Sequence, residues 1–559
     1  MWRRCTRRQA SKAASRFLHR VPGENVESLI DSAAVGVLFV VAAVAALTYR
    51  AYGLGWDDYT HAQYGELLLK YYGSGLSDRR ALSFVNLYMY GGGFDMAASL
   101  LNKILPSDLF ATRRLFGAIV GLAGLFVTWR LARRLGGPIA GLVALILLAT
   151  CSLYYGHMFI NAKDAPFAVA MTMLLFGLVR ALQEYPRPRI ATIVIFGIGL
   201  GLSVGSRILG GLTAVYLIVP VAMIFASDLR LAGGRQASGN FGWFVLSLLP
   251  GLVIAYAIMA LIWPWSVIAP LNPIRAVGYF SEFFEKPWKE MFGGDLISVS
   301  EMPRSYVPIF FLLKMPEILI ALALAGIVGA VVTATRPQFP VRGRAALLLV
   351  VIAATLPLLI AVATRPAMYN GIRHFVFVVP PLAVLGGLAA AFIVERLHRV
   401  SQSAAIASVL IMLAGVTMPV IEMVRLHPYQ YTYFNWMAGG IRAADERYML
   451  DYWGLAFKQA AQQLKAKLGE QLAPASRRWR IAVCGPHPPA EVELGPNFVP
   501  TWDPRGADFA LMLGEFYCAE LKAPILVEIE RQGVVFARVY DIRGHNITSL
   551  FTIPPLQRD

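Results

Sequence analysis

The chain contains 559 residues, of which 57% are hydrophobic and 15% are charged, and its mean hydropathy is +0.56. Soluble globular proteins carry roughly 25% charged residues, so this composition excludes a soluble protein and predicts an integral membrane protein. Lys and Arg outnumber Asp and Glu by 51 to 34, a net charge of +17 that membrane topology explains without nucleic acid as a partner. The four cysteines lack metal-ligand spacing, which excludes a zinc ribbon.

The N-terminal segment 1–28 is basic, like the start of a secretory signal. The first apolar run, however, extends over residues 29–48. About 20 residues are enough to span a bilayer, whereas the apolar region of a signal peptide has roughly 7 to 15. We therefore expect a basic cytoplasmic segment followed by a retained first helix.

Hydropathy predicts about eleven transmembrane helices. The stretch 190–226 is divided at residues 206–207, because a single helix of that length would overrun the ~30 Å apolar core of a bilayer. The predicted spans are 29–48, 114–132, 138–155, 165–182, 190–206, 208–226, 241–263, 311–333, 345–363, 373–394 and 404–425.

The distribution of basic residues predicts the orientation of these spans. If the N-terminus is cytoplasmic, the inner segments hold 19 Lys and Arg residues in 77 positions and the outer segments hold 12 in 125. Cytoplasmic loops carry such an excess of basic residues. We expect the long loops 50–113 and 264–304 and the C-terminal tail on the outer side.

Both long loops contain apolar and aromatic stretches broken by Gly and Pro, a pattern typical of helices that lie in the membrane interface. The tail from residue 427 has mixed composition. It predicts a helix over 452–468, strands in RIAVCG, ADFALML, PILVEIE and VVFARVYDI, and a hairpin turn at 531–533. The expected fold class is a polytopic α-helical membrane protein with interfacial loop helices, in three parts: 1–28, the membrane domain 29–426, and a small extracytoplasmic α/β domain over 427–559.

Acidic residues beside a membrane are costly and often functional. Asp57 and Asp58 stand together after the first span, in GWDDYTHAQYGELLLKYY, and His61 would share a helix face with Asp57. The alternative is a structural one, since Asp is a favoured N-cap for a helix that begins near Asp58.

Two further charged residues have the same double interpretation. Asp164 lies at the start of a predicted span in HMFINAKDAPFAVAM, where it is either functional or a cap, with Pro166 in the first turn. Arg207 interrupts an apolar stretch, where it contacts a ligand or extends its charge to the membrane surface.

These motifs together resemble the GT-C membrane glycosyltransferases, in particular the branch of protein O-mannosyltransferases and lipid A aminoarabinose transferases. The resemblance covers roughly residues 29–425 and includes GIGLGLSVGSRILGG and YNGIRHFVFVVPPLAVL. The family has Asp-Glu where this chain has Asp57-Asp58, and commonly Lys where it has Arg207. The tail segment DYWG at 451–454 looks like that of bacterial members, and its role is left open.

The resemblance implies transfer of a hexose or pentose from a polyprenyl-phosphate donor to a lipid, glycan or protein acceptor. The expected place is the outer face of a bacterial inner membrane. It implies a base, Asp57, with Asp58 and Asp164 orienting the acceptor or the sugar. Arg207 and Arg373 are implied phosphate ligands, and the secondary candidates are His61, His157, Lys163, Lys314 and His374.

No cofactor and no metal are expected. Two acids with His61 or His157 supply the ligand types of a divalent metal, but the relatives generally need none. Which sugar, which acceptor and which oligomeric state apply is not encoded in these motifs.

Two local pairings are also predicted. Lys314 and Glu317 have the spacing of an ion pair at the start of the eighth span, with Lys314 on the donor phosphate as the alternative. Cys484 and Cys518 both fall in the outward tail, where a disulfide persists if their strands are neighbours. Two free buried thiols are the alternative.

Functions of other classes fit part of the pattern. A secondary transporter has many spans, but it usually shows internal repeats and acids at the membrane midplane. A non-catalytic membrane subunit predicts that Asp57, Asp58 and Asp164 can be replaced without loss of function. Convergence of the carboxylates in one cavity would favour the glycosyltransferase.

Overall fold

The computed structural model describes residues 24–281, 288–469 and 478–552. Most of the predicted basic N-terminal segment and part of the second long loop lie outside these residues. The helices are, in chain order, α1 (Glu24–Thr48), α2 (Asp58–Gly73), α3 (Gly93–Ile104), α4 (Leu109–Ala149), α5 (Ser152–Ile160), α6 (Asp164–Gln183), α7 (Ile190–Ser206), α8 (Thr213–Ala232), α9 (Gly234–Ile262), α10 (Trp265–Ile268), α11 (Asn272–Ser281), α12 (Tyr306–Lys314), α13 (Glu317–Thr335), α14 (Val341–Thr364), α15 (Val379–His398), α16 (Gln402–Leu426), α17 (Gly440–Ala444), α18 (Phe457–Leu468) and α19 (His487–Leu494).

Nine helices among the described residues are long and apolar enough to cross a membrane, namely α1, α4, α6, α8, α9, α13, α14, α15 and α16. Two features account for the difference between the eleven predicted spans and these nine helices. The 41-residue α4 contains two of them, because Gly137 has a non-helical φ of 82° directly before Pro138. The remaining predicted span corresponds to α7, an apolar helix of 17 residues that is shorter than these nine.

Two boundaries around the predicted spans have clear causes. Arg207 has an extended backbone after α7, which confirms the predicted division of the stretch 190–226. The eighth span begins at Glu317 and not near residue 311, because Pro316 separates α12 from α13.

The two long loops differ in structure. The first contains α2 and α3, as predicted. The second contains α10 and α11 but continues as a β-hairpin of β1 (Lys289–Phe292) and β2 (Asp295–Ser298), where interfacial helix was expected. Gly293 and Gly294, with φ of 69° and 99°, form the turn, a conformation that glycine adopts without strain.

The tail contains a five-stranded sheet made of β3 (Trp479–Cys484), β4 (Phe498–Thr501), β5 (Phe509–Leu513), β6 (Ile525–Arg531) and β7 (Val534–Asp541), in the order β4-β3-β5-β7-β6. The four predicted strands and the turn at Gln532 and Gly533 are confirmed, while β4 and α19 were missed. The predicted helix begins later, at Phe457, because Gly454 has a φ of 76°.

The loops and the tail meet on one side of the membrane helices, which we call the loop side. A Cβ atom on Gly91 would lie 1.5 Å from the carbonyl oxygen of Gly205, so only glycine allows the first loop to lie this close to the end of α7. Tyr90 is thereby placed near Arg207. The tail reaches the same place, because Trp453 contacts Arg373.

Candidate active site

A small cavity on the loop side contains several of the predicted residues. Its walls are Gly55, Asp57, Asp58 and His61 around the start of α2, residues 160–163 between α5 and α6, and Trp453 from the tail. Two larger open cavities, beside Arg133 and beside Trp243, contain none of the predicted site residues.

Asp57 is an exposed carboxylate in the wall of this cavity. It occupies the N-cap position of α2, but its side chain makes no capping hydrogen bond. The surrounding protein raises the pKa of Asp57 by desolvation, but Lys163, Arg373 and His61 together lower it more, so the pKa lies below its ordinary value. Asp57 is therefore an ionised carboxylate, as a base requires.

Asp58 is a buried residue beside Asp57. Its carboxylate is buried and forms a two-pronged ion pair with Arg114, whose Nη1 and Nη2 lie 2.9 and 2.5 Å from Oδ1 and Oδ2. It also accepts a hydrogen bond from the backbone N–H of Gly55 at 2.7 Å. These partners occupy both oxygens, so Asp58 fixes the loop that carries Asp57.

Asp164 binds side chains from three other parts of the chain. Its carboxylate forms ion pairs with Arg207 and, at 3.4 Å, with Arg373. Asn161 Nδ2 donates a hydrogen bond to its Oδ2 at 2.8 Å. The side chain of Asp164 is thus not an N-cap, and Arg207 points into the protein and not to the membrane surface.

Three cations surround a group of aromatic rings in this region. Lys163 Nζ lies 4.9 Å and Arg207 Cζ 5.8 Å from the ring centre of Tyr90. Arg373 Cζ lies 4.9 Å from the ring centre of Tyr369 and 5.3 Å from that of Trp453. The carboxylates of Asp57 and Asp164 act on these cations, and the buried Glu290 acts on Arg373. A group of cations of this kind suits an anionic ligand.

His61 is part of a buried ion-pair network that sequence reasoning missed. Its Nδ1 lies 2.6 Å from Oδ2 of Asp95, and Arg113 Nη2 lies 2.6 Å from Oδ1 of the same carboxylate. All three side chains are at most 5% exposed. Burial raises the pKa of Asp95, but His61 and Arg113 lower this pKa by a larger amount. The carboxyl group is therefore ionised.

The other two histidine candidates are packed against aromatic rings. His157 is fully buried, and its Nε2 is hydrogen-bonded to Tyr452 Oη of the tail at 3.3 Å. Burial lowers the pKa of His157 to about 3, so it is neutral. His374 packs edge to face on Tyr369, next to Arg373.

The predicted ion pair between Lys314 and Glu317 is wrong. Glu317 Oε1 instead accepts hydrogen bonds from the backbone N–H groups of Trp436 and Met437, at 2.7 and 3.4 Å. Lys314 is 2% exposed, and its Nζ lies 4.2 Å from the ring centre of Phe434. Pro316 between the two residues breaks the helix that would have brought them together.

Glu290 is another buried acid that the sequence did not reveal. Its carboxylate accepts hydrogen bonds from Tyr306 Oη at 2.7 Å and from the backbone N–H of Asn370 at 2.5 Å. Asn370 and Gly371 have φ of 57° and 63° and lead directly to Arg373. The hairpin of the second loop therefore holds the turn that positions Arg373.

The structure joins Cys484 and Cys518 in a disulfide with a Cα–Cα distance of 5.9 Å. The two strands are neighbours, as this disulfide requires. β3 and β5 pair in parallel and place Cys484 opposite Met512. In the described ranges, no group of three His, Cys, Asp or Glu residues is arranged to hold a metal ion.

Residues 94–263 match the family model described as dolichyl-phosphate-mannose-protein mannosyltransferase. Among solved structures, apo ArnT from Cupriavidus metallidurans is 16% identical over 92% of this chain and 99% of that chain, with a TM-score of 0.49. The same protein bound to undecaprenyl phosphate is 16% identical over 91% of this chain and 97% of that chain, with a TM-score of 0.47. The apo oligosaccharyltransferase from Archaeoglobus fulgidus is 14% identical over 85% of this chain and 65% of that chain, with a TM-score of 0.48.

No curated protein matches the chain. The family match confirms the resemblance to membrane glycosyltransferases that the motifs predicted. It covers α3 from Phe94 onward and α4 to α9, and with them Asp164 and Arg207, but not Asp57, Arg373 or the tail.

Proposed function

We propose that the chain is a membrane glycosyltransferase that moves a hexose or pentose from a polyprenyl-phosphate donor to a lipid, glycan or protein acceptor. The observation that carries this proposal is the proximity of an ionised Asp57 to two cations at the ends of membrane helices, Lys163 and Arg373. Arg207 contacts the same Tyr90 ring as Lys163. The match to a mannosyltransferase family supports the donor class.

In the proposed reaction, Asp57 takes the proton of an acceptor hydroxyl group as a general base. The acceptor oxygen forms a bond to the anomeric carbon of the sugar. The bond from that carbon to the phosphate oxygen breaks, and its electron pair stays on the lipid phosphate. Attack from the face opposite the phosphate inverts the configuration of the anomeric carbon.

The arginines would bind the phosphate in the ground state and stabilise the negative charge that develops on it. Arg207 and Arg373 offer planar guanidinium groups that suit phosphate oxygens. The carboxylate of Asp164 forms ion pairs with both guanidinium groups and so holds them beside each other. We assign Asp164 to positioning these cations, and Lys163 to the charge beside Asp57.

The proposed location is the outer face of a bacterial inner membrane, with the loop side outward. The excess of Lys and Arg in the opposite loops supports this orientation. The disulfide in the tail also favours an oxidising compartment. No metal or other cofactor is proposed.

A transporter or a non-catalytic subunit gives no reason for a carboxylate that lines a cavity beside Lys163 and Arg373 at one end of the membrane helices. The proposal is tested by mass spectrometry of envelope lipids, glycans and proteins from cells that lack the protein. A missing sugar that returns with the wild-type gene and not with the Asp57→Asn variant would support the proposal. An unchanged profile from the deletion would contradict it.

A further inference from the structure

His61 has the geometry of an oriented proton acceptor. It lies in the first full turn of α2, four residues after Asp57, so the two side chains share a helix face. Both residues line the same cavity. The Nδ1 atom of His61 is hydrogen-bonded to Asp95, which belongs to α3.

The partners of Asp95 fix which ring nitrogen carries the proton. An ionised carboxylate only accepts hydrogen bonds. Asp95 accepts one from Arg113 Nη2 and one from His61, both at 2.6 Å. The proton that His61 donates to Asp95 is therefore on Nδ1, which leaves Nε2 as the ring nitrogen that can accept a proton.

The other ring nitrogen, Nε2, has no partner among the described residues. His61 is 4% exposed, and its buried Nε2 makes no hydrogen bond to any described residue. A buried polar nitrogen without a partner is costly, and a purely structural histidine normally satisfies both nitrogens. Because Nδ1 is bound to Asp95, Nε2 is the ring nitrogen that can take a further partner, and His61 and Asp57 line the same cavity.

We propose that His61 is the second proton acceptor of the transfer reaction, receiving at Nε2 the proton that Asp57 removes from the acceptor hydroxyl group. This inference rests on the proposed function. Asp95 acts as the positioning residue that holds the ring in the accepting tautomer, and Arg113 keeps Asp95 ionised. The arrangement resets Asp57 to a carboxylate for the next turnover.

The proton balance of the cycle is closed. Asp57 changes from carboxylate to carboxylic acid as the acceptor O–H bond breaks, and returns to carboxylate when the proton moves to Nε2. His61 becomes an imidazolium, which Asp95 stabilises through the Nδ1–H hydrogen bond. Water that enters the site when product leaves takes the proton from Nε2, so no further reactant is consumed.

The test compares purified wild-type protein with His61→Ala and Asp95→Asn in detergent, using undecaprenyl-phosphate donors that carry radiolabelled mannose, glucose or an aminopentose. We expect kcat to fall about 10- to 100-fold in His61→Ala, with the KM for donor unchanged. Added imidazole should restore part of the rate. Asp95→Asn should lower kcat similarly, because an amide that donates to Nδ1 moves the ring proton to Nε2.

Two further measurements separate this role from a structural one. Undecaprenyl phosphate binding, followed by tryptophan fluorescence, should be the same in His61→Ala as in wild type. The Asp57→Asn/His61→Ala double variant should be no slower than Asp57→Asn alone, because His61 acts through Asp57. His487→Ala, in the C-terminal sheet domain, is the matched control and should behave as wild type.

The outcomes distinguish this inference from the proposed function. If wild-type protein transfers no sugar from any of the donors, the proposed function fails for these donors. If wild type is active and His61→Ala keeps its kcat, the inference alone fails. A rate loss in His61→Ala that imidazole does not reverse, together with lost undecaprenyl phosphate binding, would also overturn it in favour of a structural histidine.

Discussion

Asp164 and Arg373 are 209 residues apart in the sequence, and their side chains form a buried ion pair at 3.4 Å. The same carboxylate also pairs with Arg207 at the end of α7. A single acid thus gathers cations from two separate membrane helices. This arrangement links the position of both guanidinium groups to one residue at the start of α6.

The two arginines should contribute to donor binding more than to acceptor binding. We expect Arg207→Ala and Arg373→Ala to raise the KM for donor by about tenfold or more, since each removes a charged phosphate contact. Arg207→Lys should keep part of the activity because it keeps the charge. Arg336→Ala, an exposed arginine between α13 and α14, is the control. Equal effects on both substrates in steady-state kinetics would contradict this assignment.

The ion pair between Asp58 and Arg114 should contribute to stability. Asp58→Ala leaves Arg114 buried without its partner, and loss of one member of such a pair costs roughly 3 to 5 kcal/mol. The expected result is a clear drop in melting temperature in detergent. Asp78→Ala removes an exposed ion pair with Arg80 in the same loop and should change the melting temperature much less. Equal melting temperatures for the two variants would show that the Asp58 pair is not needed for stability.

Trp453 should connect the tail domain to the reaction. Its ring lines the cavity and lies against Arg373. Trp453→Ala removes this aromatic face and should lower kcat/KM for donor at least about tenfold, a loss of about 1.4 kcal/mol of binding to the transition state. Trp453→Phe should retain more activity. Trp502→Ala, on the exposed surface of the same domain, is the control, and equal rates for Trp453→Ala and wild type would contradict a role for the tail.

The bond between Cys484 and Cys518 can be tested chemically. Protein purified without reductant and digested with trypsin should give one linked peptide pair containing both cysteines. Cys151, which is buried between membrane helices, should be recovered as a free thiol only after denaturation. Alkylation of Cys484 and Cys518 in unreduced, denatured protein would contradict the disulfide and weaken the outward assignment of the tail.

The sequence predicted the parts of the site that are charged residues at the ends of apolar spans. Asp57, Asp164, Arg207 and Arg373 stood out because a charge beside a membrane is costly. Their convergence was not predictable, because it depends on how α6, α7 and α15 pack. The pairing of β6 with β7 was predictable, since a short turn joins the two strands. The order of all five strands was not predicted.

The missed residues share a physical reason. Asp95, Arg113 and Glu290 bind partners between 16 and 81 residues away, so no local pattern marks them. Two signals were present. Arg113 and Arg114 stand together at the start of an apolar span, and Asp95 interrupts an apolar helix of the first loop. The wrong pairing of Lys314 with Glu317 came from applying helix spacing across Pro316.

The central claim is that Asp57 is the base of sugar transfer. Its most direct measurement is single-turnover transfer in detergent from a radiolabelled polyprenyl-phosphate sugar, comparing wild type, Asp57→Asn, Asp164→Asn and the exposed-loop control Asp78→Asn. We predict that Asp57→Asn stays folded and binds undecaprenyl phosphate like wild type, but transfers about 10²- to 10⁴-fold more slowly. Asp164→Asn should also abolish transfer, with weakened donor binding, and the control should be unaffected. Wild-type rates of transfer by Asp57→Asn would contradict the claim.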